Sequence, residues 1–191
     1  MKRILLAGIL GGLGLFVWGG LSHMVLGLGE VGVRGLPQQQ AVLDTLRAST
    51  PEAGFYYFPQ PDSAMKLPAD QIGGPHGILI FHPTGATLAM GGMLTKECIL
   101  NIVQALILAF LLSLAPGLSG YMSRVGFVVL IGALAGITTN VEYWIWYGFP
   151  SKYTAGIVSD RIIGFLIVGL VAAALVKPAA AKMQVVTAKA A

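Results

Sequence analysis

Four long apolar stretches take up most of this chain: residues 4–28, 98–114, 125–147 and 157–176. A helix advances about 1.5 Å per residue, so about 20 apolar residues cross the hydrocarbon core of a bilayer. Lipid offers no water to backbone amides and carbonyls, so such a stretch pairs them internally by folding as a helix. The expected fold is an all-α membrane protein. It is a four-transmembrane-helix bundle with a small α+β extracytoplasmic segment between helices 1 and 2. The chain divides into transmembrane helix 1 (1–28), the outer segment (29–96), transmembrane helices 2–4 (97–176) and a cytoplasmic tail (177–191).

Composition agrees with this reading. The chain is 55% hydrophobic and only 10% charged, whereas soluble domains average about 25% charged. One bundle and its outer segment use all 191 residues, leaving no room for a second large domain. The net charge of +4 is spread along the chain, with no basic run interleaved with aromatics, so no nucleic-acid partner is expected. The single cysteine, Cys98, excludes an intrachain disulfide and a cysteine cage for metal. It reads as a small buried hydrophobe.

Basic residues set the expected orientation. Lys2 and Arg3 precede the first helix, Arg124 lies between helices 2 and 3, and Lys177, Lys182 and Lys189 follow helix 4. The positive-inside rule places all three regions in the cytoplasm. Both termini are then cytoplasmic and 29–96 faces outward, with Lys152 in the 148–156 link as a mild exception. The first apolar run is too long for a signal-peptide core and no Ala-x-Ala site follows, so it reads as a retained anchor. The layout resembles that of small bacterial inner-membrane proteins with four helices and one long outer loop. No functional motif of a named family accompanies it.

In the outer segment, residues 37–47 read as a short amphipathic helix with Pro37 in its first turn and Val42, Leu43 and Leu46 on one face. Residues 55–58 and 77–82 read as two short strands around a Pro- and Gly-rich loop, pairing as a hairpin. Two strands alone are marginal in water, so the segment is expected to pack on the helix ends, on the amphipathic helix or on a partner. Trp144, Trp146, Tyr147, Phe149 and Tyr153 form an aromatic belt at the outer interface. Gly8 and Gly12, and Gly132 and Gly136, have the four-residue spacing that lets helix backbones approach, within one bundle or between protomers.

The polar residues within the spans are the candidate binding site: His23, Glu97, Asn101, Gln104, Asn140, Glu142, Asp160 and Arg161. Glu97, Asn101 and Gln104 share one face of helix 2. A charge in lipid costs several kcal/mol, so these groups are expected to face inward as one layer in the outer third of the bundle. Arg161 is expected to pair with Glu142 or Glu97, and Asn101 to hydrogen-bond with Asn140. The inner half carries no matching polar residues, so a conduction path would cross a dry layer.

His23, His76 and His82 are the only histidines and make a weaker candidate metal set. Only His23 lies on a membrane helix, which argues against haem. No nucleophile elbow or phosphate-binding loop is present. Ser22 and His23 point to different helix faces, so no dyad is expected. No motif names a cofactor. The expected function is a non-catalytic interaction or accessory subunit of a membrane complex, with the bilayer and a membrane-protein partner or second copy as its contacts. The alternative is an outer-face protein binding a small ligand, lipid or metal in the polar layer.

Overall fold

The computed structural model describes residues 1–62, 64, 66–84 and 89–177. These form five helices and one small sheet: α1 (Lys2–Met24), α2 (Gln39–Ser49), β1 (Gly54–Phe58), β2 (Gly77–Phe81), α3 (Met90–Ser113), α4 (Tyr121–Tyr147) and α5 (Ser151–Leu175). Four of them, α1, α3, α4 and α5, are long and apolar enough to span a membrane. Lys182 and Lys189 of the expected tail lie outside the described residues.

The helix ends differ from the apolar stretches in ways that local chemistry explains. Hydropathy registers only the apolar part of a helix. α3 starts at Met90, well before Cys98, because Gly91, Gly92, Thr95 and Lys96 extend it as a polar overhang. α1 stops at Met24, and the chain reverses through Gly27 at φ 64°, so Leu28 belongs to a single 3-10 turn rather than to the span. The α4–α5 link is only Gly148, Phe149 and Pro150. Gly148 takes the left-handed conformation (φ 69°) that ends α4, and Pro150 caps α5. α2 starts two residues after Pro37, because Gln38 holds the left-handed cap position at φ 52°.

α1 packs antiparallel on both α3 and α5, and α4 packs on α5, while α3 meets α5 and α4 more lightly. Glycine sets the α1–α3 approach. A Cβ on Gly12 would lie 2.7 Å from the Ile102 backbone nitrogen, and one on Gly8 would lie 2.9 Å from the Leu106 Cα. Gly132 makes room for Phe165 and Gly164 for Leu15. The paired glycines are therefore occupied within one chain. A middle core gathers Leu15, Ala105, Leu108, Val128, Phe165 and Val168. A second core, at the end where α1 begins and α5 ends (the inner end, as a label for that end of the bundle), gathers Ala7, Ala109, Leu112, Ala172 and Val176. At the outer end α1 and α3 part: Gly19, Gly20, Gly91 and Gly92 have no neighbour where a Cβ would stand.

Arg124 fixes the inner end. It is only 8% exposed and, among the described residues, makes no ion pair. Its Nε and Nη2 donate to the Ala173 carbonyl at 3.2 and 3.0 Å, and its Nη1 donates to the Ser119 carbonyl at 2.7 Å and the Leu118 carbonyl at 3.4 Å. Ala173 is in the last turn of α5, whose carbonyls have no partner within the helix. One guanidinium thus ties the start of α4, the end of α5 and the α3–α4 link, at a helix terminus that favours positive charge. Its planar fork makes this possible where an ammonium reaches fewer acceptors.

The hairpin pairs as expected, antiparallel with Tyr56 opposite Leu79. α2 has no extensive packing partner among the described elements. The 3-10 turn Leu28–Glu30 folds back on α5 instead, and Gly32 and Gly156 allow that approach.

Gly12→Leu is expected to separate α1 from α3 and lower the melting temperature in detergent sharply, while Gly20→Leu leaves it unchanged. Arg124→Met is expected to cost about 2–4 kcal/mol by stranding buried carbonyls, and Arg124→Lys less, as read by thermal denaturation of the purified protein.

Candidate functional site

The polar residues of the spans do not form one layer. Gly12 faces Ile102, Leu15 faces Gly164 and Phe165 faces Gly132, so Asn101 sits near the level of Gly132. Asn140 is then about 13 Å nearer the outer end. It donates to the Gly136 carbonyl at 2.9 Å and to Thr139 Oγ1 at 2.8 Å, within its own helix. Asn101 is buried (3% exposed) on the stripe of α3 that continues through Ala105 and Leu108. The expected bond between the two asparagines is therefore absent, because a shared distance from a sequence landmark is not a shared depth in the bundle. Gln104 is half-buried, one turn deeper than Asn101.

The expected Arg161 ion pair is also absent. Among the described residues the one ion pair is Arg47–Asp44, on the surface of α2. Glu97 and Glu142 are exposed, while Arg161 is half-buried with its Cβ near Gly136. Asp160 faces the α1 side, where its carbonyl accepts a hydrogen bond from Trp18 Nε1 at 3.3 Å. Its Oδ1 is buried and has no hydrogen-bond partner, as is Thr154 Oγ1 one and a half turns earlier.

Ser22 and His23 meet, contrary to the expectation from their positions on the helix. Ser22 Oγ lies 2.9 Å from His23 Nδ1, which is also 3.1 Å from the Gly19 carbonyl. Ser22 is fully buried and donates its proton to the same carbonyl at 3.2 Å, so the pair closes onto backbone. The His23 ring rests against Gly29 of the returning chain. Among the described residues no three His, Cys, Asp or Glu side chains converge, so His23, His76 and His82 do not assemble as a metal centre.

What the fold does assemble lies beside the outer end of α4. Tyr57 of β1 meets Tyr147 edge-on at 6.2 Å between ring centroids. Tyr147 contacts Tyr143 at 5.7 Å, Tyr143 stacks on Phe149 at 5.4 Å, and Phe149 contacts Tyr153 at 5.7 Å. Tyr147, Phe149 and Tyr153 of the expected belt thus join Tyr57 and Tyr143 in a continuous chain of rings from the hairpin, across α4, to α5. Trp144 leaves this chain and donates to Ser151 Oγ at 3.0 Å.

Between the hairpin and α4 lies a groove of about 940 Å³. Phe55, Tyr57, Trp146 and Tyr147 supply aromatic surface, with Pro59, Pro61 and Leu67 beside them. Gln60, Asp62 and His76 supply the charged and amide groups of the lining. Asp62 Oδ1 accepts the backbone amides of Ala64 and Lys66 at 2.9 and 2.8 Å, which pins the loop and leaves Oδ2 free of these bonds. Of the residues singled out as site candidates, only His76 lines this groove. The adjacent aromatics Trp146 and Tyr147 at the end of α4 were the available signal for it. Its partner across the groove is fixed only by tertiary folding.

Neither a protein-family model, nor a curated protein, nor a solved structure matches the chain.

Asp160→Asn keeps the side-chain shape and removes the acidic group whose Oδ1 is buried without a hydrogen-bond partner. It is expected to hold or raise the melting temperature in detergent, whereas Asp160→Leu, which also changes the side-chain shape, lowers it.

Proposed function

We propose that the chain is a multi-pass protein of a bacterial inner membrane that binds an amphiphilic small molecule in the aromatic groove at its outer face. The orientation rests on the basic residues at the inner helix ends, which puts both termini in the cytoplasm and the hairpin outside. The binding reading is carried by one observation, the aromatic groove of about 940 Å³ between β1 and α4. Its volume is within the range of small-molecule sites, about 300–1,000 Å³, and such sites are mainly apolar with a few placed polar groups. The rings would take the apolar body of the ligand. Gln60, Asp62 and His76 would meet its polar head.

The ligand site therefore moves from the polar layer to the groove. The layer's residues are spread over different depths, and half of them bond to their own helices or are exposed: His23, Asn140, Glu97 and Glu142. A second reading keeps the chain as an interaction or accessory subunit. It is favoured by α2, which has no extensive packing partner among the described elements, and by the first two turns of α3, from Met90 to Glu97, which are exposed.

One purification separates the two readings. The protein is extracted from its native membranes in mild detergent, and its lipids, small molecules and co-purifying proteins are quantified by mass spectrometry. The groove reading expects a stoichiometric amphiphile whose retention falls about tenfold or more in Trp146→Ala/Tyr147→Ala, the loss of roughly 1–2 kcal/mol for each aromatic contact. Equal retention in that variant, or no bound amphiphile at all, removes the reading. A stoichiometric membrane protein without an amphiphile supports the accessory reading instead.

A further inference from the structure

At the opposite end of the molecule, the first turn of α1, the end of α3 and the residues after α5 enclose a second cavity of about 430 Å³. Lys2, Arg3 and Lys177 bring three cations to its lining, and Ile4 and Val176 give it an apolar floor. We propose that this cavity binds the headgroup of an anionic phospholipid from the inner leaflet. The site is independent of the aromatic groove and does not rest on that reading.

The electrostatics are one-sided. No Asp or Glu occurs in residues 1–29, 98–141 or 161–191, so every acidic side chain lies at the other end of the bundle or in the outer segment. Among the described residues Lys2, Arg3 and Lys177 make no ion pair. The first turn of α1 carries no acidic residue. α3 and α5 both end here, and their carbonyl dipoles hold cations in place without neutralising them. Arg124 is already committed to the Ala173 and Ser119 carbonyls, so it does not compete for the ligand. Ser113 gives its hydroxyl proton to the Phe110 carbonyl at 2.6 Å, which leaves recognition to the three cations.

Phosphate is the group that such a cluster recognises, either on a lipid or free in solution. The surroundings favour the lipid. The cavity opens at the foot of the exposed apolar face of α1, where Leu5, Leu6 and Ile9 are each about half-exposed. A phospholipid seated by its phosphate runs its acyl chains along that face, and free phosphate leaves the same surface unused.

The test is a titration of the purified full chain in zwitterionic detergent, followed by native mass spectrometry, with phosphatidylglycerol, phosphatidylcholine and inorganic phosphate as the probes. Phosphatidylglycerol is expected to bind about tenfold or more tightly than phosphatidylcholine, because each cation near a phosphate contributes about 1 kcal/mol. Lys2→Gln/Arg3→Gln/Lys177→Gln is expected to lose that preference. Lys96→Gln/Lys152→Gln, which removes charge at the outer end, is expected to keep it. Inorganic phosphate at the same concentration is expected not to displace the lipid. A triple variant that keeps the preference overturns the proposal, as does equal loss in the outer-end variant or displacement by inorganic phosphate. Melting in phosphatidylcholine micelles reports whether the triple variant folds. If it does not, the single Arg3→Gln variant decides: a weakened preference supports the site and an unchanged one overturns it.

Discussion

The close approach of α1 to α3 governs the rest of the architecture. Lipid tails are as apolar as leucine, so burial alone does not hold membrane helices together, and packing contacts must do it. Gly8 and Gly12 let the α1 backbone sit against Leu106 and Ile102. α1 turns its next face to α5 through Leu15 and Gly164. With α1 between α3 and α5, α4 is left to pack on α5, and Arg124 locks that second pair at its inner end. The order of helices around the bundle follows from where the small residues fall on α1 and α5.

The same contacts separate the molecule into two ends with different physics. The inner and middle parts hold the apolar cores and the buried guanidinium. Towards the outer end α1 and α3 diverge, because the contact at Gly12 is not repeated at Gly19 or Gly20. Aromatic rings and a returning 3-10 turn take over there. Ring-to-ring contacts are directional and of order 1 kcal/mol each. They orient the hairpin against α4 while leaving a groove between them.

Much of the fold was legible in the sequence. Four apolar runs announce four spans because lipid permits little else, and alternating aromatic and aliphatic residues between glycines and prolines announce the hairpin. The ends of α1 and α3 were less legible. Hydropathy is blind to a helix that continues into water, as α3 does from Met90, and to a turn made of apolar residues, as at Val25 and Leu26. The site was the least legible part. Polar residues in a span suggest a shared layer, but depth depends on the offset between helices, which only the packed glycines define. Asn101 and Asn140 show the consequence, one buried at mid-depth and the other bonded to its own helix. In the sequence Arg124 reads only as a basic residue at a helix end. Its role in capping α5 requires knowing that the start of α4 lies beside the end of α5.

The outer groove also differs from the core in how firmly it is held. Its two walls belong to elements that share little packing: a two-stranded sheet, marginal by itself, and the exposed end of α4. Regions with few buried contacts open at small free-energy cost. Tyr57 and Tyr147 are the main bridge between the walls. A molecule seated between these walls adds contacts to both, so its binding and the docking of the hairpin form one coupled equilibrium. The inner cavity is the opposite case. Its walls are the ends of three helices joined through the inner core, so the backbone that carries its cations is packed before any ligand arrives. On the proposals made above, the groove would take a ligand that helps to organise its own site, and the cavity one that meets walls already joined.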